Sequence, residues 1–140
     1  MPVGYKIRAD FSVMVATFYG DVVVDEIRDA LLDYQKDPGF DGRYCVLADL
    51  ADCSFPEGNF DDYVQLAYRL RSHFEVRDPN SRTAFFAPED VGFGISRMYQ
   101  TIAADRASYT MEVFRTAEEA LRFVRVDPQA PGAADLLRRV

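Results

Sequence analysis

Cysteine is scarce in this chain, histidine scarcer, and positive charge is in deficit. The two cysteines, Cys45 and Cys53, make no disulfide framework, and without a CxxC pair redox work is disfavoured. Cys45 falls in an apolar run, where a free cysteine behaves as a small buried hydrophobe. His73 is the sole histidine. That excludes a multi-histidine metal site and leaves a catalytic triad a single available base. Lysine and arginine number 16 against 23 aspartates and glutamates, a net charge of −7. Such a balance argues against nucleic-acid binding, which needs a basic surface to displace counterions, and against electrostatic docking on anionic membranes. No apolar run approaches the roughly 20 residues of a transmembrane helix. The segment from Met1 to Lys6 lacks the basic and apolar regions of a signal peptide, so the cytoplasm is the expected compartment.

What is present is enough apolar material for one folded domain. Of 140 residues 49% are hydrophobic, with 11 Phe and 8 Tyr, which excludes global disorder and supports a substantial core. Two short strands are expected from Tyr5 to Ala9 and Ser12 to Tyr19, joined around Asp10 and Phe11. Val24, Ile27, Leu31 and Tyr34 recur at helical spacing and predict a helix to Lys36, stopped by Asp37, Pro38 and Gly39. The run from Tyr44 to Asp49 reads as a strand covered on both faces, with a loop from Asp52 to Gly58 after it. Asn59 is placed to cap the next helix, whose apolar stripe reads Phe60, Val64, Ala67, Leu70, Phe74.

Arg77 to Ser81 reads as a turn and Arg82 to Ala87 as another buried strand. The following helix is expected to face inward through Val91, Ile95, Met98, Tyr99 and Ile102. Tyr109 to Phe114 is the last strand, and Thr116 with Glu119 forms a capping box for a final helix with Ala117, Ala120, Leu121 and Val124 inside. Residues 1–126 are therefore expected to form one domain. Residues 127–140 read as a loose, Pro/Gly/Ala-rich tail, with a helical turn from Asp135 to Val140.

The element order is β-β-α-β-α-β-α-β-α. Alternating strands and helices predict an α/β fold with a mostly parallel five-stranded sheet, right-handed crossovers and one antiparallel strand near an edge. Ligands of such sheets favour the strands' carboxyl ends, here Asp49 to Asn59, Ala87 to Gly94, and Arg115 with Thr116.

Together with Val46 to Leu50, Ala87 to Asp90, Gly94 to Gln100 and Val113 to Ala120, this order resembles the STAS domains (sulfate transporter and anti-sigma-factor antagonist). The resemblance is nearest to their uncharacterised SpoIIAA-like branch and spans about residues 5–125. It implies that fold and, for the antagonists, a phosphorylatable serine at a helix start. The matching positions here are about Glu57, Gly58 and Asn59, none of them a hydroxyl residue, and Ser54 lies several residues early. The phosphorylation switch is not carried over, although Asn59 can keep the capping part of that serine's work.

Beside the resemblance stand the residues themselves. Asp49 and Asp52, with Glu57 nearby, could bind a cation or exchange protons, but acids of this kind are more often turn and helix caps. Gly92, Phe93 and Gly94 open a helix and could cradle an anion with help from Arg97. No Gly-Lys-Ser/Thr follows, and Glu89 and Asp90 would repel a phosphate, so close helix–strand packing is the better account. Cys53 and Ser54 offer nucleophiles without a motif around them. Phe55 and Phe93, read as loop residues, could line a pocket of several hundred Å3. Tyr68, Arg71, Arg97 and Gln100 lie off the inner stripes and are candidates for a partner surface. No catalytic residue, metal ligand or cofactor is assigned.

The first functional expectation is thus a regulatory or interaction module with a protein partner or self-association. The second is a carrier or sensor of a small apolar or anionic ligand held at the rim by Asp49, Asp52, Ser54, Phe55, Asn59, Gly92, Phe93, Gly94 and Arg97. An enzyme using Asp49, Asp52 or His73 ranks last.

Overall fold

The expected alternation folds, in a computed structural model describing residues 2–56 and 59–137, into a five-stranded mixed sheet flanked by helices. Strands β1 (Val3–Arg8) and β2 (Val13–Asp21) pair antiparallel around a 3-10 turn at Ala9–Phe11. Helix α1 (Val24–Lys36), β3 (Cys45–Ser54), α2 (Phe60–Arg69), α3 (Arg71–Val76), β4 (Arg82–Phe86), α4 (Asp90–Ala103), β5 (Thr110–Phe114) and α5 (Ala117–Phe123) follow. The strands lie side by side in chain order, with β2 to β5 parallel and β1 at an edge. No helix among the described residues is long and apolar enough to cross a membrane.

Strand order decides where the helices go. Right-handed crossovers between strands taken in sequence carry every connecting helix to one face. Met14, Ala16, Phe18, Val46, Ala48 and Leu50 accordingly pack against α1, α2, α3 and α4. The alternate residues Val13, Val15, Cys45, Leu47, Ala84 and Phe86 face the other way and meet Ala120, Leu121 and Val124 at the α5 end. The period of two along each strand thus supplies two cores, one per face.

Four sequence expectations change. Strand β3 does not stop at Asp49 but runs to Ser54, because β2 goes on pairing beyond a register shift between Thr17 and Tyr19, with Tyr19 opposite Asp52. The helix after Asn59 is broken at Leu70 into α2 and α3. Phe60 and Val91, assigned to inner stripes, are 59% and 66% exposed; each sits in the first turn of its helix, and the buried faces run instead through Tyr63, Leu66 and Ala67 and through Gly92, Ser96 and Ala103. The segment after Val126 is not loose. Ala133, Leu136 and Leu137 are buried in the second core, around a 3-10 turn at Ala133–Asp135. The last three residues of the expected tail helix, and Glu57 with Gly58, lie outside the described residues.

Candidate functional site: a core cavity with a cationic end

Between the sheet and its helical layer lies a cavity of about 70 Å3. Its floor is formed by the residues of the central strands that face the helices, among them Ala16, Val46, Ala48, Leu50 and Phe85; its roof includes Ile27 and Leu31 of α1, Leu66 of α2 and Ile95 of α4. At the strands' carboxyl end it reaches Phe18 and Phe55, whose rings are 6.5 Å apart. At the amino end it reaches Thr83, Tyr109, His73 and Arg77. The walls are hydrocarbon for most of this length, and the one arginine among the lining residues, Arg77, stands at the amino end.

Arg77 follows α3 as its carboxyl-terminal cap and is 3% exposed. Its Nη2 donates to Ser81 Oγ at 2.6 Å, Thr83 Oγ1 at 3.1 Å and the Arg82 carbonyl at 3.4 Å. Nε donates to Ser81 Oγ at 3.2 Å, and Nη1 meets His73 Nε2 at 3.3 Å. The guanidinium carbon lies 3.9 Å from the centre of the Tyr109 ring, a cation–π contact strengthened by burial. Ser81 Oγ spends its own proton on the Tyr44 carbonyl at 2.8 Å. All of these partners are neutral. Burial pulls the Arg77 pKa down from its ordinary value, while Tyr109, Tyr34 and Cys45 act the other way; a guanidinium stays charged through such a shift.

His73 is 2% exposed. Burial, and after it the Arg77 charge, pushes its pKa down to about 3. Although His73 lies in the last turn of α3, where a charged ring would be favoured, this imidazole is neutral because water is withheld and a cation stands beside it. With Nε2 accepting from Arg77, the ring proton belongs on Nδ1, and among the described residues Nδ1 has no hydrogen-bond partner. The same holds for the Oγ of Ser96, an α4 residue that lines the same cavity and is 2% exposed.

The expected rim residues are dispersed. Asp49 is buried, accepts the Ala51 N–H at 3.0 Å, and lines an open groove on the opposite sheet face with Thr17, Tyr19 and Lys6. Asp52 is exposed within β3. Ser54 donates to Asp21 at 2.6 Å. Asn59 caps α2 as expected, accepting the Asp62 N–H at 2.9 Å. Phe55 is a core residue on the cavity wall, whereas Phe93 lies outside it, under the Arg115 guanidinium at 4.3 Å. A Cβ on Gly92 would make only ordinary contacts, 3.8 Å to Ala87 Cβ and 3.9 Å to the Leu50 carbonyl, and one on Gly94 would meet nothing within 4 Å. Close packing does not explain these glycines.

The cation at the start of α4 is Arg115, paired with Asp90 at 2.8 Å; Arg97 is an exposed residue farther along the helix. The Cys53 thiol is pushed up to about 12 by burial, with Asp49 and Asp52 adding to it, so it is a poor nucleophile at neutral pH. Asp49, Asp52 and His73 share no cleft: Asp49 and His73 lie on opposite faces of the sheet.

Arg77, Thr83, Ser96 and Tyr109 are not among the site residues the sequence suggests, and His73 enters there only as a candidate catalytic base, not as a binding residue. One signal was available. His73 and Arg77 continue the spacing of Leu66 and Leu70, so a basic pair extends an apolar stripe toward the sheet. Comparison with models of protein families, with curated proteins and with solved structures gives no significant match to this chain.

Proposed function

We propose that this protein is a non-catalytic carrier or sensor that encloses a small ligand in the cavity between its sheet and helices. The observation that carries the reading is a largely hydrocarbon cavity lined by two residues, His73 and Ser96, each of which holds a buried polar atom (Nδ1 and Oγ) that finds no partner among the described residues. Empty cavities in proteins are normally apolar, and buried polar atoms are normally satisfied. A wall with unmet polar groups is suited to an occupant. The site is the core rather than the expected rim, and the volume is smaller than the several hundred Å3 expected. An engineered cavity of about 150 Å3 holds benzene, so about 70 Å3 suits a molecule of roughly three or four heavy atoms.

The chain-order sheet with one antiparallel edge strand supports reading the chain as a STAS-like domain of SpoIIAA-like type. A regulatory or interaction module is the second reading. It is favoured by an exposed pair beyond the cavity, Tyr68 at 55% exposure with Arg71 stacked 4.4 Å over its ring.

The test is NMR titration of the ligand-free protein with a panel of small alcohols, ketones and carboxylates. Saturable shifts are expected at Val46, Ala48 and Phe85, weakened when Ala48→Val narrows the cavity. If no compound in the panel produces a saturable shift there, the reading is wrong.

A further inference from the structure

The polar end of the cavity is one-sided in charge. Arg77 is buried, and among the described residues it takes part in no ion pair. Its neighbours are two hydroxyls, a backbone carbonyl, an imidazole and a phenol ring. A buried charge without a counterion costs several kcal/mol, and neutral hydrogen bonds recover only part of it.

The unmet hydrogen-bonding capacity also has one character. Arg77 carries five N–H donors, and Nη1 shows a single contact, to His73, which leaves one proton to give. His73 Nδ1 holds the imidazole proton and gives it to nothing. Ser96, the other unmatched group on the wall, is a hydroxyl that can donate. The matching occupant is an anion that accepts through more than one oxygen.

Resting on the ligand-binding reading above, we propose that the cavity takes a small organic monocarboxylate of about four heavy atoms, its head on Arg77 and His73 and its alkyl end directed toward Val46, Ala48 and Phe85. The sheet register sets this direction. Thr83, which touches Arg77, stands opposite Val46, and the next pair on the same face is Phe85 with Ala48. That pair lies about 7 Å farther along the strands. A carboxylate pairs with a guanidinium through charge-assisted bonds, roughly twice as strong as neutral ones. Phosphate and sulfate fit less well, because among the described residues no second cation lines the cavity and the remaining wall is mostly hydrocarbon. Water could take up the donors but would not balance the charge.

The experiment is calorimetric titration of the intact protein with acetate and with ethanol, four and three heavy atoms, at constant ionic strength in chloride buffer. Acetate is expected to bind at least tenfold more tightly than ethanol, and Arg77→Met is expected to abolish that preference. If ethanol binds as tightly as acetate to the unaltered protein, the carboxylate assignment fails while the cavity reading stands. If neither binds, both fall. Undiminished acetate binding by Arg77→Met also overturns the assignment. Should Arg77→Met not fold, the comparison of the two ligands on the unaltered chain decides.

Discussion

At neutral pH His73 is an uncharged ring pressed against a guanidinium, and burial makes that choice. The consequence is a pH dependence with a definite sign. Its pKa is lowered from 6.5 to about 3 in the folded chain. Between those values the unfolded chain binds a proton that the folded chain refuses, so stability falls as pH falls. Between pH 7 and pH 4 the loss should be about 3 kcal/mol. Carboxylates with lowered pKa values, such as Asp41 at about 2 and Asp37, also cost stability in acid, but mainly below pH 4. Urea denaturation across pH 4 to 7 should therefore show a steep slope in the unaltered protein and a much shallower one in His73→Gln. A variant that keeps the full slope would remove His73 from the account. Asn59 as a cap was legible in the sequence, because its bond spans three residues. Arg77 was not, because its contacts with Thr83 and the Tyr109 ring depend on strands arriving from elsewhere.

Periodicity in this sequence places the helices and strands more closely than it orients them. The inner stripe expected for α2 begins one turn too early and that for α4 one residue off the most buried line through Gly92, Ser96 and Ala103, since helical periodicity says which residues share a face but not where the sheet beneath ends. Glycines divide in a similar way. Gly94 looked like part of a packing motif, yet it is exposed and a Cβ there meets nothing. Gly42 reads in the sequence as an ordinary residue of the loop between α1 and β3, yet a Cβ there would run into the Val76 carbonyl oxygen, directly before Arg77. Gly94→Ala should stabilise the protein by about 0.5–1 kcal/mol through helix propensity. Gly42→Ala should destabilise it by about 1–3 kcal/mol, as overpacking does, with ligand binding weakened because the displaced backbone holds the cation. Chemical denaturation of the two variants tests the pair, and equal effects of the same sign would refute this account.

Across the whole molecule, the second sheet face explains why the chain does not end structurally at Val126. Connecting helices fill the first face, so α5 and the residues after it must cover the other. Leu137 is 4% exposed in that second core. Leu137→Ala should cost about 2–4 kcal/mol, measurable as a lower denaturation midpoint. A change below 0.5 kcal/mol would mean that the segment is as loose as its composition suggests. The α/β class, the strand count and the antiparallel edge pair could be read from the sequence, because they follow from local periodicity and the alternation of elements. The cavity, its cationic end and the burial of the last described residues could not. They arise where side chains distant in sequence share one space, and a charge such as that of Arg77 acquires its meaning from which neighbours the fold leaves out.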